Sequence, residues 1–218
     1  MLVPALATAK LDDQLAQGLS ALGLGDRPLL QEKLLAYVAL LVKWNRAYNL
    51  TAVREPTDMV TRHLLDSLAI LPFLQLPTVL DIGTGPGLPG IPLALFQPEG
   101  RFTLLDSNSK KTRFVNQAVM ELGLSNVTVV QSRIEGYEPK EQFTTVVSRA
   151  FSTIQTMLEA CQHVCAEGGR IIAMKGQYPT EELTGWPEGF RLVSVEPLLV
   201  PGLEAERHAV LIEYEGDR

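Results

Sequence analysis

Apolar residues in the N-terminal third of the chain recur at the spacing of helices. After Pro28, which suits a first helical position, they follow at steps of three and four residues: Leu30, Leu34, Tyr37, Leu41, Trp44 and Tyr48. A second stripe predicts a helix that begins at Pro56 and ends before Pro72: Val60, Leu64, Leu68 and Leu71. The pattern therefore predicts a helical N-terminal extension over residues 1–76.

From Thr78 onward, short apolar runs alternate with helical stretches, which is typical of βαβ units and a parallel sheet. The predicted strands are Thr78–Ile82, Arg101–Leu105, Val127–Val130, Thr144–Val147 and Arg170–Met174. The predicted helices are Gly90–Phe96, Ser109–Leu122 with Gly123 as its C-cap, and Thr153–Cys165. Leu192–Val200 and His208–Tyr214, on either side of Pro201–Gly202, predict an antiparallel pair at the sheet edge. Residues 77–218 are therefore predicted to form a Rossmann-like α/β domain with a mostly parallel, seven-stranded sheet.

Composition narrows the class of protein. The 218 residues suffice for one core and a small appendage, and no apolar run approaches the roughly 18 residues that span a bilayer. The apolar opening Met1–Ala9 is short for a signal peptide and has no basic residue before it. Cys161 and Cys165 are too few for a disulfide framework or a zinc site, which favours small buried thiols in a reducing cytosol. We expect a cytoplasmic monomer with no metal, no membrane contact and no protein partner.

The charge distribution gives conflicting indications about nucleic acid. A net charge of −6 and a pI near 5.2 do not indicate a nucleic-acid binder. Residues 101–113 reverse this locally, because Arg101, Lys110, Lys111 and Arg113 face only Asp106. A solvated helix start accounts for this cluster as well as a binding surface does.

The most informative segment is the loop Asp81–Gly90, which follows the first predicted strand and opens the first helix of the sheet. Ligands of open α/β sheets bind at this place. Glycines such as Gly83 and Gly85 let the backbone turn sharply and approach a ligand closely. Two interpretations compete, because the spacing Gly85-x-Gly87-x-x-Gly90 also matches the dinucleotide-binding pattern.

The chemistry of the loop favours S-adenosylmethionine over NAD. A pyrophosphate site depends on a row of backbone N–H groups, and Pro86, Pro89 and Pro92 each remove a donor. The carboxylate of Asp81 suits a ligand with an ammonium and a sulfonium but repels pyrophosphate, and Asp-x-Gly-x-Gly-x-Gly is the methyltransferase form of the motif. Asp106, at the end of the second strand, is placed to accept the ribose hydroxyls of either cofactor. An NAD-binding dehydrogenase remains the alternative.

The loops after the third and fourth strands carry further candidates. Glu135 follows the third strand, where a carboxylate can border an adenine, although an ordinary surface acid would look the same. Arg149 follows the fourth strand and is a candidate to face the methionine carboxylate or the substrate; a solvated arginine is the alternative. The segment Ser148–Phe151 lacks the Asp/Asn-Pro-Pro-aromatic loop of exocyclic-amine methylation, and no cysteine is placed to attack cytosine. A ring nitrogen such as guanine N7 loses no proton and needs no base.

Several strings together resemble one family. They are Lys43-Trp44-Asn45, Tyr48-Asn49-Leu50-Thr51, Arg62-His63-Leu64-Leu65-Asp66-Ser67, Asp81 through Pro92, Leu104-Leu105-Asp106-Ser107, Gln131-Ser132-Arg133, Ser148-Arg149-Ala150-Phe151, Lys175-Gly176-Gln177 and Glu206-Arg207-His208. Over residues 30–214 the chain resembles the bacterial ribosomal RNA small-subunit methyltransferase G family, also called glucose-inhibited division protein B. The resemblance implies a class I methyltransferase fold, closed by an antiparallel strand pair. It also implies methyl transfer from S-adenosylmethionine to N7 of a guanine in a hairpin loop of 16S ribosomal RNA, near the decoding region.

The resemblance also assigns residues. By position, the cofactor would be bound by Gly83, Leu88, Ile134, Glu135 and Arg149, to which the chemistry above adds Asp81, Gly85 and Asp106. A structured RNA loop can be recognised by shape and by splayed bases, so a few local cations suffice in an acidic protein. The candidate contacts to 16S RNA or the 30S particle are Lys43, Arg46, Arg62, Lys110, Lys111, Arg113, Lys175 and Arg207. A small-molecule methyltransferase and a non-catalytic interaction protein with a retained cofactor pocket remain alternatives, because the fold is shared.

Overall fold

The computed structural model describes residues 5–25, 27–149, 151 and 153–216, with side chains from residue 9 onward. Ala150 of the predicted fourth-strand loop and the outer ends of the two predicted domains lie outside these residues. None of the described helices is long and apolar enough to cross a membrane.

The N-terminal extension is helical, as predicted. Helix α1 spans Ala5–Ala21 and α2 spans Pro28–Tyr48, with Pro28 in its first turn and Asn49 in the left-handed conformation at its end (φ 50°). The single helix predicted from Pro56 is wrong in detail. The chain forms α3 (Pro56–Met59), a π-helical segment (Val60–Leu65), α4 (Asp66–Leu68) and a 3₁₀ turn (Leu71–Phe73).

The sheet has seven strands in the order β3-β2-β1-β4-β5-β7-β6. Strands β1 to β5 pair in parallel, and the antiparallel β6–β7 pair closes the β5 edge, which confirms the prediction. The strands are β1 (Thr78–Ile82), β2 (Arg101–Asp106), β3 (Val127–Gln131), β4 (Phe143–Ser148), β5 (Cys165–Lys175), β6 (Phe190–Pro197) and β7 (His208–Tyr214). The helices that follow β1, β2 and β4 are α5 (Gly90–Phe96), α6 (Ser109–Leu122) and α7 (Ile154–Cys161).

Two predicted boundaries are corrected. Helix α7 ends at Cys161, a 3₁₀ turn follows, and Cys165 is the first residue of β5, where it pairs with Phe143. The apolar run that suggested a continuous helix was therefore the start of a buried strand. Strand β6 ends at Pro197, earlier than the predicted end at Val200, because β7 begins opposite it at His208. The described part of the chain shows both cysteines buried and unpaired, as expected.

The helical extension packs directly on the sheet domain. The rings of Tyr37 and Trp44, on α2, lie 6.2 and 5.7 Å from that of Phe114, on α6. A single apolar cluster includes residues of α1 and α2 together with Phe102 of β2. The other face of the sheet buries a second cluster, which includes Cys165 and residues of α7. The predicted domain boundary after residue 76 stays a prediction. The first apolar cluster contains residues from both sides of that boundary.

Candidate active site

The backbone of the Asp81–Gly90 loop bonds almost entirely to the protein itself. The N–H groups of Thr84, Gly85, Gly87, Leu88 and Gly90 donate to acceptors within the protein, at 2.8 to 3.0 Å. The prolines of the loop have no N–H to offer. The row of outward backbone donors that binds a pyrophosphate is therefore already used, which argues against a dinucleotide.

The side chain of Asp81 forms hydrogen bonds with two residues of this loop. Its Oδ2 atom accepts hydrogen bonds from the Thr84 hydroxyl (2.6 Å) and the Gly90 N–H (2.8 Å). The Oδ1 atom is buried and has no hydrogen-bond partner. Burial raises the pKa of Asp81 to about 6, against the lowering effect of these two donors and of the Arg149 charge. The carboxylate thus shapes the loop and keeps one oxygen unsatisfied.

Asp106 forms the corner between β2 and the loop. Its Oδ2 atom accepts the Gly85 N–H at 2.9 Å, and its Oδ1 atom accepts the Asn108 N–H at 2.8 Å. A cavity of about 420 Å³ opens here, and its lining includes Gly83, Asp106, Ile134 and Glu135. Four predicted cofactor residues therefore meet in one cavity.

The other predicted cofactor residues are distributed around this corner. Gly85 and Leu88 are buried in the loop and do not line the cavity. Lys111, predicted as an RNA contact, lines the cavity, with its Nζ atom 3.7 Å from Asp106 Oδ2. Its position groups it with the cofactor candidates and not with the exposed cations.

Arg149 lies in a second cavity, of about 370 Å³, between the helical extension and the carboxyl ends of β4 and β5. Its Nη1 atom donates to Asp66 Oδ2 at 3.0 Å, while Arg207 Nε donates to Asp66 Oδ1 at 2.8 Å. The predicted RNA contacts Arg62, Lys175 and Arg207 line the same cavity. Lys175 is ion-paired with Glu182 at 2.8 Å.

His63, in the π-helical segment, borders this second cavity. Its Nε2 atom lies 2.9 Å from the Thr51 hydroxyl, whereas its Nδ1 atom is buried without a hydrogen-bond partner among the described residues. Burial, assisted by the Arg149 charge, lowers the pKa of His63 to about 4. The imidazole is therefore neutral near pH 7 and is a weak base.

The remaining predicted RNA contacts are exposed side chains on two helices that pack together. Lys43 and Arg46 lie on α2, and Lys110 and Arg113 lie on α6. The contact of Trp44 with Phe114 joins the two helices immediately beside Lys43 and Arg113. These cations therefore lie on two helices that are in contact with each other. Within the described residues, no cluster of three or more potential metal ligands occurs.

Sequence reasoning missed two residues that position the site. Asp66, whose side chain is 1% exposed, joins Arg149 to Arg207 across more than 80 residues of sequence, and only its place in a motif string marked it. The hydroxyl of buried Tyr37 donates to the carbonyl of Pro86 at 2.8 Å, so α2 fixes the glycine loop from the far side. The apolar stripe of α2 identified Tyr37 as a core residue, but no local signal indicated its partner.

Comparison with known proteins agrees with this geometry. The family model described as GidB, rRNA small subunit methyltransferase G, matches residues 30–210. Ribosomal RNA small subunit methyltransferase G of Shewanella amazonensis is 52% identical over 198 residues, which cover 91% of this chain and 96% of that protein. The protein of the same name from Pseudomonas aeruginosa is 49% identical over 201 residues, which cover 92% and 94% of the two chains.

Solved structures share the fold at low identity. Precorrin-6y C5,15-methyltransferase from Geobacter metallireducens is 19% identical with a TM-score of 0.51, covering 69% of this chain and 87% of its own. A putative rRNA-methylase from Clostridium thermocellum is also 19% identical with a TM-score of 0.51, covering 70% and 94%. The fold is therefore that of a Rossmann-like class I methyltransferase. From the family match and the close relatives together, this chain belongs to the rRNA small subunit methyltransferase G family.

Proposed function

We propose that this protein transfers a methyl group from S-adenosylmethionine to N7 of a guanine in 16S ribosomal RNA, acting as a cytoplasmic monomer on the RNA or on the 30S particle. The observation that carries the proposal is the glycine loop held by Asp81, whose backbone donors bond to the protein and whose buried Oδ1 atom lacks a partner. Such a loop suits a cationic ligand without phosphate. The names of the close relatives support ribosomal RNA as the acceptor.

The residues around the loop fit this methyl donor. Asp106 would accept the ribose hydroxyls, and Ile134 with Glu135 would border the adenine in the same cavity. Asp81 would supply negative charge to the methionine end, and Arg149 would lie beside it. When bound, S-adenosylmethionine supplies an electrophilic methyl group on a sulfonium.

The second cavity fits an acceptor that has no proton to lose. His63 is a weak base because its pKa is lowered to about 4, and Asp66 is bonded to two guanidinium groups. N7 of guanine already presents a lone pair, so positioning and a favourable field are sufficient for transfer. This environment favours guanine N7 over an exocyclic amine, which must be deprotonated.

The proposal is tested by binding and by transfer. Calorimetry should detect binding of S-adenosylmethionine or S-adenosylhomocysteine and none of NAD. Donor with a labelled methyl group should then be incubated with 30S particles, naked 16S RNA and a small-molecule extract, and the labelled nucleoside should be identified by mass spectrometry. We expect label in 7-methylguanosine from RNA. Label only in small molecules would favour a small-molecule methyltransferase, and binding of NAD alone would favour a dehydrogenase.

We expect Arg62→Ala and Arg113→Ala to weaken binding of the RNA acceptor without changing donor affinity. Both side chains are exposed, Arg62 beside the second cavity and Arg113 on α6. Each lost phosphate contact should lower the slope of log affinity against log salt by about 0.7 to 0.9. Arg101→Ala is the matched control, because Arg101 pairs with Glu141 at the opposite edge of the sheet. Wild-type methylation by both variants at subsaturating acceptor and every salt concentration would contradict the assignment.

A further inference from the structure

We propose that the second cavity binds the phosphodiester next to the acceptor guanosine through Arg207, and that buried Asp66 is the positioning residue that fixes this guanidinium beside Arg149, the arginine that faces the methyl donor. This inference rests on the proposed function and assigns a phosphate subsite to the same site.

The carboxylate of Asp66 joins the guanidinium groups of Arg149 and Arg207. Asp66 is 1% exposed, whereas Arg149 and Arg207 are 24% and 30% exposed. The carboxylate therefore lies behind the two guanidinium groups and accepts one hydrogen bond from each, at 3.0 and 2.8 Å, and Arg149 Nη1 also donates to the Arg62 carbonyl at 3.5 Å. A guanidinium carries five N–H donors, so the bond from Arg207 to Asp66 orients this side chain and leaves most of its donors for other partners.

The charge of the cavity favours an anion. Its lining includes Arg62, Arg149 and Arg207 against the one carboxylate of Asp66, while the fourth cation, Lys175, is paired with Glu182. His63 is neutral near pH 7, so it adds no charge to the cavity. Gly176 lies beside Arg207, where an added Cβ would be 3.5 Å from Nη1, so glycine leaves that side of the guanidinium unobstructed. The fork of N–H donors on a guanidinium group matches the oxygens of a phosphodiester.

The sheet topology places this anion on the acceptor side. The parallel strands β2, β1, β4 and β5 lie in that order, so their carboxyl ends present Asp106, the glycine loop, Arg149 and Lys175 in sequence along one edge. The first cavity lies at Asp106 and the second lies at Arg149 and Lys175, with the methyl-donor loop between them. The second cavity is also walled by Val53 and Arg62 of the helical extension, outside the nucleotide-binding core.

The test measures acceptor KM, kcat and the salt slope of acceptor binding on 30S particles, with donor affinity measured by calorimetry of S-adenosylhomocysteine. Arg207→Ala should raise acceptor KM about tenfold and lower the salt slope by about one unit, with donor affinity unchanged. Arg207→Lys keeps the charge, so it should keep the slope but still raise KM. Arg191→Ala is the matched control, because Arg191 lies at the other end of the β6–β7 pair and is ion-paired with Glu213 and Glu215.

Asp66→Asn separates positioning from net charge. The substitution makes the cavity more positive, so a cavity that attracts RNA by charge alone would show a lower acceptor KM. A positioning residue predicts a higher KM and a lower kcat, with the salt slope close to that of the wild type. Melting of the variant shows whether it folds; if it does not, the Arg207→Ala and Arg207→Lys pair decides the question alone.

Three outcomes would overturn the inference. Arg207→Ala could match Arg191→Ala in KM and slope, or folded Asp66→Asn could lower the acceptor KM. A raised S-adenosylhomocysteine dissociation constant in Arg207→Ala, with unchanged acceptor KM, would assign the anion to the carboxylate of the donor. Failure of the wild-type protein to methylate any RNA would instead defeat the proposed function, and it is seen before any variant is made.

Discussion

In Asp81→Asn, the free energy of unfolding of the ligand-free protein should gain about 2 kcal/mol relative to the wild type between about pH 4 and pH 7. Burial raises the pKa of Asp81 from 3.8 to about 6. Between these values the unfolded wild-type chain has lost the proton and the folded chain still holds it. The stability of the wild type therefore falls as the pH rises through this window, whereas asparagine does not titrate.

The same substitution should weaken the binding of the cationic methyl donor. Positive charge near the carboxylate favours its ionised form, so wild-type affinity should fall about tenfold per pH unit below about pH 6. In the variant, affinity should be low and independent of pH across this window. The amide oxygen of the introduced asparagine can still accept from Thr84 and Gly90, so the loop should keep its shape.

Denaturant unfolding and calorimetry from about pH 4 to pH 8 measure both effects. Thr84→Val is the informative control, because the Thr84 hydroxyl donates to Asp81 and lowers its pKa. Loss of that donor should raise the folded pKa of Asp81 further, so the fall in stability should extend to higher pH and its total amplitude should increase. Parallel stability curves for the wild type and Asp81→Asn would mean that Asp81 does not titrate in this range and would remove the electrostatic argument.

The parts of the site that the sequence predicted are those whose chemistry is local. Asp81 and the glycines lie within one loop, and Asp106 ends the next strand, so strand order in the chain sufficed to bring them together. Strand ends were correct to within a residue for β1 to β3, because their apolar runs end at Gly83, Asp106 and Gln131. Gly123 was identified correctly as a C-cap, with φ 64°.

The parts that were missed depend on distant contacts. A regular helix from Pro56 would place Asp66 away from the stripe of Leu64 and Leu68, as an ordinary exposed acid. The π-helical turn changes the phase, and the whole of Val60–Leu68 except Arg62 is buried. The unfavourable free energy of burying the Asp66 carboxylate is then offset by its hydrogen bonds with Arg149 and Arg207. These two arginines are distant from Asp66 in the sequence, so the local spacing of residues could not reveal the contacts. Cys165 was misplaced for a similar reason, since a buried strand and a buried helix have similar apolar runs.

Gly90→Ala should abolish donor binding and destabilise the fold by about 1 to 3 kcal/mol. A Cβ at Gly90 would lie 2.8 Å from Asp81 Oδ2 and 2.7 Å from Leu104 Cγ. Relief would require α5 to move away from β2 or the Asp81 carboxylate to rotate, and either movement breaks the Gly90 N–H bond that shapes the loop. The effect is steric, since Gly90 is not among the glycines with positive φ.

The matched control for this last substitution is Gly136→Ala, beside the first cavity. An added Cβ there meets only Ser132 Oγ, at 4.0 Å, and the backbone φ is not positive, so stability and binding should stay near wild type. Thermal melting and calorimetry with S-adenosylhomocysteine compare the two variants directly. Because the loss in Gly90→Ala arises from the displaced loop and not from charge, raising the pH should not restore its affinity. Normal donor affinity in folded Gly90→Ala would show that the loop tolerates displacement from Asp81, and the role assigned to that carboxylate in shaping the loop would then be wrong.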